Sequence, residues 1–250
     1  YRMKYFLTIA ASDNSSGAGI QQDLKTAKDF GCWGLSAITA ITSQNFNKTF
    51  YIKPLESTLV KQQINTCYKY FPIDATKIGV IGSINNAIII TKAIKKYKLK
   101  NIVFDPVIIS SSGKYLTDKQ TIYFIKTQLF PLCDIITPNK IELELLANKK
   151  IDNISDAISI AKEKSNEWKT NILIKGGHFN SPIIYEAIIH KNVVYTFQHK
   201  RLTFNYSHGT GCTLSSAIAC LLANNINIID AYKLASRYLL THYKKLNYLF

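Results

Sequence analysis

Several side chains suited to phosphate and magnesium chemistry stand directly after apolar segments of strand length. Asp105 closes NIVFD, and Lys175 closes NILIK before two glycines. Asn139 and Glu142 follow DIITP. Mg²⁺ keeps several of its waters and takes only one or two protein carboxylates, whereas a lysine beside glycines suits a phosphate that approaches the backbone. We therefore expect Asp105 and Glu142 to hold a metal ion and Lys175 to contact a phosphate.

A second candidate site is the segment HGTGC at 208–212, which precedes small and apolar residues at helical spacing. A helix start offers unpaired N–H groups and a positive dipole end, so this loop predicts an anion site. The dipole is expected to lower the pKa of Cys212 and favour a thiolate, which could accept a proton from a substrate hydroxyl. These parts together are what phosphoryl transfer requires, since that reaction depends on positioning and charge neutralisation.

Each candidate also has a purely structural explanation. Asp105, which precedes a proline, could cap the end of a strand, because Asp is common in turns. Asn139 with Glu142 matches a capping-box variant, and Cys212 could be a buried small hydrophobe. Neither GxxxxGK[ST] nor GxGxxG occurs, which disfavours a P-loop or a Rossmann dinucleotide site.

The elements that must position these residues alternate between strand and helix. Strands are predicted over 4–10, 35–41, 75–81, 101–106, 134–138 and 171–175, with a hairpin formed by 182–190 and 192–198. Helices are predicted over 19–30, 58–71, 85–97, 118–128, 140–147, 154–166, 211–223 and 229–243. Such alternation indicates a parallel sheet covered on both sides. We expect one three-layer αβα domain over residues 1–250, with Asp13, Gln44 and the candidates above along the carboxyl edge of the sheet.

Composition excludes several classes of protein. The chain has 250 residues, of which 47% are hydrophobic, yet no apolar run approaches the roughly 20 residues of a membrane span. Its five cysteines form no CxxC motif, which predicts reduced thiols and a cytoplasmic location. The net charge of +15 is carried by dispersed lysines without interleaved aromatic residues, which disfavours a nucleic-acid partner.

Seven segments, in this order, resemble the hydroxymethylpyrimidine/phosphomethylpyrimidine kinases of thiamine biosynthesis, a branch of the ribokinase-like superfamily. They are LTIAASDNSSGAGIQQDLKTAKDFG, SAITAITSQN, TKIGVIGS, DPVIISSSGKYL, TPNKIELELL, ILIKGGHF and HGTGCTLSSAIA. The resemblance implies a ribokinase-like αβα fold, a homodimer, and ATP with Mg²⁺ as cofactors. It also implies phosphorylation of 4-amino-5-hydroxymethyl-2-methylpyrimidine and then of its monophosphate.

By motif position, the resemblance implies roles for individual residues. Asp23 and Gln44 would contact the pyrimidine, and GTGC would form the anion hole with Cys212 in the place of the usual catalytic aspartate. The candidate catalytic residues are thus Lys175, Gly209, Gly211 and Cys212. The candidate substrate-binding residues are Ala11, Asp23, Gln44, Val107 and Arg237. The candidate ATP-binding residues are Asn139, Lys175, Thr210 and Gly211, and the candidate metal residues are Asp105 and Glu142.

The choice of substrate depends mainly on Gln44. A glutamine amide presents a donor and an acceptor side by side, which matches the ring-nitrogen and amino edge of a 4-aminopyrimidine, as it matches adenine in nucleic acids. Alternatively, Gln44 is a loop residue whose side chain bonds to its own backbone.

Three departures from the family pattern bear on substrate affinity. Ala11 and Ser16 replace glycines, and Arg237 stands where lysine is common; arginine and lysine differ in shape and hydration. A pyridoxal or pyridoxine kinase of the same superfamily is the nearest alternative function. A catalytically relaxed nucleotide-binding regulatory protein is the alternative from another class.

Overall fold

The strands and helices follow the predicted alternation in the computed structural model, which describes residues 2–110, 113, 115–179, 181–202 and 208–246. The strands are β1 (Lys4–Ser12), β2 (Cys32–Gln44), β3 (Thr49–Pro54), β4 (Ala75–Ile78), β5 (Ile102–Phe104), β6 (Ile135–Ile136), β7 (Asn171–Ile174), β8 (Ile183–His190) and β9 (Val193–Lys200). The helices are α1 (Gly19–Asp29), α2 (Ser57–Tyr70), α3 (Ile84–Tyr97), α4 (Lys119–Phe124), α5 (Lys140–Ala147), α6 (Ile154–Trp168), α7 (Thr210–Ala223) and α8 (Ile228–Leu246). Ser111, Ser112 and Lys114 of the segment DPVIISSSGKYL lie outside the described residues.

The strands form one nine-stranded sheet in the order β3-β2-β1-β4-β5-β6-β7-β8-β9. The five inner pairs are parallel: β2–β1, β1–β4, β4–β5, β5–β6 and β6–β7. The outer pairs β2–β3, β7–β8 and β8–β9 are antiparallel. The predicted mostly parallel three-layer αβα fold is therefore confirmed. The strand order reverses at β1, and in open α/β sheets ligands bind beyond the carboxyl ends of the strands at such a switch point.

Two apolar layers cover the faces of the sheet. Phe6 packs with apolar residues of α1, α7 and α8, whereas the next residue, Leu7, packs with apolar residues of α2, α3, α5 and α6. Successive side chains of a strand point to opposite faces, so both faces of β1 must be apolar, as its sequence is. Helix starts are fixed locally: Ser83 accepts the Asn86 N–H at the start of α3.

The structure differs from the sequence prediction at two places. β2 extends three residues beyond the predicted strand at each end and pairs with β3, which the sequence analysis did not predict. Residues 118–128 do not form one α-helix, because α4 ends at Phe124 and a π-helical turn follows over Ile125–Leu129. Pro131, which cannot continue an α-helix, lies in a short 3-10 segment just beyond it. Within the described ranges, no helix is both long and apolar enough to cross a membrane.

Candidate active site

The carboxyl ends of β5, β6 and β7 bring three charged side chains into one buried cluster. Lys175 Nζ lies 2.7 Å from Asp105 Oδ1 and 3.7 Å from Glu142 Oε2. Thr137 donates its hydroxyl to Asp105 Oδ1 at 3.1 Å. Asp105 and Glu142 are almost completely buried. Residues separated by 70 positions in the chain thus meet because their strands are neighbours in the sheet.

Glu142 also belongs to a capping box at the start of α5. Asn139 Oδ1 accepts the Glu142 N–H at 2.9 Å, and Glu142 Oε2 accepts the Asn139 N–H at 2.8 Å. The same carboxylate faces Lys175, so the structural explanation and the proposed site coexist. Burial raises the pKa of Glu142 to about 7; the Lys175 ammonium opposes this rise, and Asp105 adds to it.

The charge balance of this cluster suits a cation. Among the described residues, Asp105 and Glu142 share one ammonium group, that of Lys175, in a buried position. When both carboxyl groups are ionised, the pair carries more negative charge than Lys175 neutralises, and a bound cation would favour that state. No group of three or more His, Cys, Asp or Glu residues suited to a metal occurs among the described residues, but Mg²⁺ needs only one or two carboxylates and keeps its waters.

The glycine loop at the start of α7 lies directly against the cluster. Gly209 is the N-cap, with a left-handed φ of 80° and no capping side chain. The N–H groups of the first helical turn therefore have no acceptor within the helix. A Cβ placed on Gly211 would lie 3.3 Å from both Asp105 Oδ2 and Lys175 Nζ. An anion bound at this helix start would thus lie next to the lysine.

Cys212 lies in that first turn and is partly buried. Burial raises the pKa of its thiol to about 11; Lys77 lowers the pKa, whereas Asp23 and Asp105 raise it further. The sequence-based expectation of a lowered pKa is therefore wrong. The helix start does favour a thiolate, but desolvation and two neighbouring carboxylates outweigh it.

The loop that follows β1 is tied to the glycine loop by Asp13 and His208. His208 Nε2 lies 2.9 Å from Asp13 Oδ2, and the Ala18 N–H donates to the same oxygen at 2.8 Å. Burial opposes the charge of Asp13, but hydrogen bonds from His208, Ser15 and Ala18 hold the pKa of that carboxyl well below its usual range. A Cβ on Gly209 would lie only 1.8 Å from the carbonyl oxygen of Gly17. The two loops are therefore in direct backbone contact.

Three of the candidate substrate residues lie at or near the same edge of the sheet. Gln44 is half-buried at the end of β2, where its N–H donates to Asn14 Oδ1 at 2.8 Å. Its side-chain oxygen accepts the Thr49 hydroxyl at 2.8 Å; the second lone pair of that oxygen can still accept, and the amide nitrogen can still donate. Val107 is half-buried two residues after Asp105. Ala11 lies at a register shift near the end of β1.

Asp23 and Arg237 are placed differently from the expectation. Asp23 has no exposed surface, and its carboxylate is engaged by Thr8, Lys77 and Ser216. This arrangement does not support a direct contact between Asp23 and a substrate. Arg237 is exposed on α8, and within the described part of the chain its side chain forms no hydrogen bond or ion pair with the other candidates.

Sequence reasoning missed Lys77, His208 and Thr137 as parts of the site. Each had a signal. Lys77 is the only charged residue in the apolar segment ATKIGVI, and His208 directly precedes the glycine loop. Thr137 lies two residues before Asn139, in the strand-end segment DIITP. A polar residue at a buried strand position is informative because it requires a partner.

Phosphate and a metal ion could both be bound by this carboxylate–lysine cluster beneath the start of α7, and the αβα fold that carries it matches that of ribokinase-like kinases. The sequence model of the family described as phosphomethylpyrimidine kinase matches residues 13–248. The chain belongs to this family.

Similar proteins agree with that assignment. The chain is 32% identical to the hydroxymethylpyrimidine/phosphomethylpyrimidine kinase of Aquifex aeolicus over 93% of this chain and 91% of that protein. Among solved structures, the phosphomethylpyrimidine kinase of Clostridium difficile 630 is 37% identical, with a TM-score of 0.84 over 96% of this chain and 99% of the other. The Staphylococcus aureus pyridoxal kinase, solved with AMP-PCP and pyridoxal, is 26% identical, with a TM-score of 0.89 over 98% of this chain and 89% of the other.

Proposed function

We propose that this chain, as a single kinase domain, uses ATP to phosphorylate 4-amino-5-hydroxymethyl-2-methylpyrimidine and then its monophosphate, which supplies the pyrimidine half of thiamine. The observation that carries the proposal is the closeness of the uncapped α7 start to Asp105 and Lys175: a Cβ on Gly211 would lie 3.3 Å from both side chains. Backbone N–H groups and an ammonium group there would neutralise the charge that develops on a transferring phosphoryl group. The names of the relatives support the choice of substrate.

The roles of the site residues follow from their positions. Lys175, Thr210 and Gly211 would contact the phosphates of ATP, with Asn139 beside them at the start of α5. The backbone around Gly209 and Gly211 would hold the transferring group. Asp105 and Glu142 would hold Mg²⁺, which neutralises phosphate charge when it is bound.

Cys212 is the proposed base for the substrate hydroxyl. Its Sγ would take the hydroxyl proton while the oxygen attacks the γ-phosphorus and the bond to the ADP oxygen breaks. The thiol must be ionised for this, and Asp105 is one of the groups that raise its pKa. A cation bound at Asp105 would neutralise its charge, and the pKa of Cys212 would then be lower.

The metal role of Glu142 can be separated from its capping role. Glu142→Gln keeps an oxygen that can accept the Asn139 N–H but removes the negative charge. We expect this variant to require a higher Mg²⁺ concentration for half-maximal activity, with an unchanged fold. If Glu142 serves only as a cap, the metal requirement stays as in the parent, and stability falls by at most about 0.5–2 kcal/mol. A magnesium titration beside a thermal melt measures both.

Gln44 provides the test of substrate recognition. Gln44→Ala should weaken binding of the pyrimidine by about 1–3 kcal/mol, the range for leaving a buried hydrogen-bonding partner unsatisfied, and should leave ATP affinity nearly unchanged. Pyridoxal has no 4-amino group, so any turnover of pyridoxal should be less affected. Steady-state kinetics with both substrates measure the difference. Equal losses for both would contradict the proposed recognition.

The decisive experiment on function offers the pyrimidine alcohol, its monophosphate and pyridoxal side by side in an ATP-coupled assay. The proposal predicts turnover of both pyrimidines. Preferential turnover of pyridoxal would instead establish the pyridoxal kinase alternative, which the likeness to the Staphylococcus aureus enzyme keeps relevant. ATP binding without turnover of any of the three would indicate the relaxed regulatory protein.

Cellular context and assembly complete the proposal. We infer a cytoplasmic homodimer that binds small molecules and has neither nucleic acid nor membrane as a partner. The dispersed lysines and the scattered cysteines of the sequence support this inference. Sedimentation analysis, together with a duplex-binding assay over a range of salt concentrations, would test it.

A further inference from the structure

A buried charge pair lies beneath the first turns of α7. Lys77 Nζ is 2.9 Å from both carboxylate oxygens of Asp23, and neither side chain has any exposed surface. Thr8 donates to Asp23 at 2.6 Å and Ser216 donates to it at 2.7 Å. The pair thus joins β1, α1, β4 and α7 in one hydrogen-bonded network.

Stability alone does not account for such a pair. The cost of taking two charges out of water often exceeds the gain from their attraction, so apolar residues of similar volume serve a core at least as well. The neighbouring Ala75 on the same strand packs into the apolar layer on this face. Lys77, two residues later, is paired with Asp23, and Thr8 and Ser216 also donate to that carboxylate; so much polar bonding in an apolar layer points to a role for the charge of Lys77.

The Lys77 side chain reaches toward the candidate site. A Cβ placed on Gly79 would lie 3.0 Å from Lys77 Nζ, so the ammonium group extends forward along β4 toward the carboxyl edge of the sheet. Ser216, which bonds Asp23, lies one helical turn after Cys212 on α7, and residues four apart share a helix face. The pair is therefore next to the turn that carries Cys212.

The charges around Lys77 keep it ionised. Burial opposes its positive charge, but Asp23, Cys212 and Asp105 together raise the pKa of Lys77 above its usual value. Lys175 is the other ammonium group near this turn, and it is paired with Asp105 and Glu142. Lys77 thus brings a second permanent positive charge to the site, from β4, the strand next to β5.

We propose that Lys77 is a positioning residue that sets a positive electrostatic potential at the first turn of α7, and that Asp23 holds its ammonium group in place. A positive potential there would favour both an anionic phosphoryl group and ionised sulfur. The inference rests on the proposed function only in assigning this turn to phosphoryl transfer. The potential itself can be measured without substrate or activity.

The test uses two alkylating reagents of different charge on the full chain. Iodoacetate and iodoacetamide both react with the thiolate, so their rate ratio at one pH cancels the ionised fraction and reports the local potential at Cys212. A Cys67→Ser background removes the other partly exposed thiol, and peptide mapping confirms the labelled site. The variants compared are Lys77→Met, Asp23→Asn, the double variant and Ser216→Ala.

The proposal predicts opposite changes from the two members of the pair. Lys77→Met should lower the iodoacetate-to-iodoacetamide ratio roughly fivefold, the scale expected for a unit charge several ångströms away in a partly screened site, and Asp23→Asn should raise it. Ser216→Ala removes a hydrogen bond from the same network without changing charge and should leave the ratio unchanged.

A purely structural pair gives a different pattern. In that case all four variants lower stability, and Lys77→Met and Asp23→Asn do not shift the iodoacetate-to-iodoacetamide ratio in opposite directions. This result would overturn the proposal. If Lys77→Met does not fold, as judged by its thermal melt, the neutral double variant replaces it, and its ratio must then lie below that of Asp23→Asn. If the parent has no kinase activity, the proposed function is refuted, but the alkylation ratio still tests the role of Lys77.

Discussion

Cys212→Ala is expected to lower kcat by about 10²–10⁴-fold, the usual contribution of a positioned general base. ATP and substrate should still bind, because the backbone N–H groups of the loop remain and alanine fits the first helical turn. Steady-state kinetics and equilibrium binding of the nucleotide measure the two effects separately. A variant that turns over within threefold of the parent would make Cys212 a packing residue.

Cys212→Asp is the matched variant for the same position. A carboxylate can occupy the first turn, and a helix N-terminus stabilises it electrostatically. We expect it to recover part of the activity that alanine loses. If the aspartate variant is no more active than alanine, the position does not act through proton transfer, and the base must be sought elsewhere along the carboxyl edge of the sheet.

The raised pKa of Cys212 gives the free protein a distinctive pH dependence. Only the thiolate is alkylated. Because the pKa is about 11, the thiolate fraction rises about tenfold with each unit of increasing pH until the pH approaches that value. Alkylation of the free protein should therefore keep accelerating above pH 9. Substrate should protect the thiol, because it would occupy the space beside Sγ.

Much of the fold and the centre of the site could be predicted because they depend on local patterns. Strands apolar on both faces indicate a covered parallel sheet, and a polar residue at the end of such a strand must lie at its carboxyl edge. Asp105 and Lys175 were found in this way, and the structure places their side chains 2.7 Å apart. Topology alone brings them together.

The features that sequence reasoning missed depend on tertiary packing. Lys77 is a single charge in an apolar segment, but the sequence does not show that its partner is Asp23, 54 positions away. The pKa of Cys212 depends on the burial and charge of groups from three other elements, so the helix start alone gave the wrong direction. β3 has mostly exposed residues, and it lacks the two-sided apolar pattern that reveals the inner strands.

Gly209→Ala is the second substitution with a large expected effect. Gly209 has a left-handed φ of 80°, and in that region steric strain destabilises a residue with a Cβ by about 1–2 kcal/mol. In addition, the new Cβ would lie 1.8 Å from the Gly17 carbonyl oxygen, so the loops after β1 and before α7 must separate. A displacement of about 1 Å at a reacting centre can cost about 10²-fold in rate, and we expect kcat to fall at least that far.

Gly31→Ala separates the backbone strain from the loop contact. Gly31 also has a left-handed φ, of 68°, but a Cβ there would meet nothing within 4 Å, and the residue follows the end of α1. Both variants should lose similar stability from strain alone, measured by chemical denaturation, whereas only Gly209→Ala should lose most of its kcat. The contact between the two loops is then what aligns the substrate hydroxyl with the phosphoryl group. If Gly31→Ala lowers kcat as far as Gly209→Ala does, the losses reflect general destabilisation, and the loop contact has no special part in catalysis.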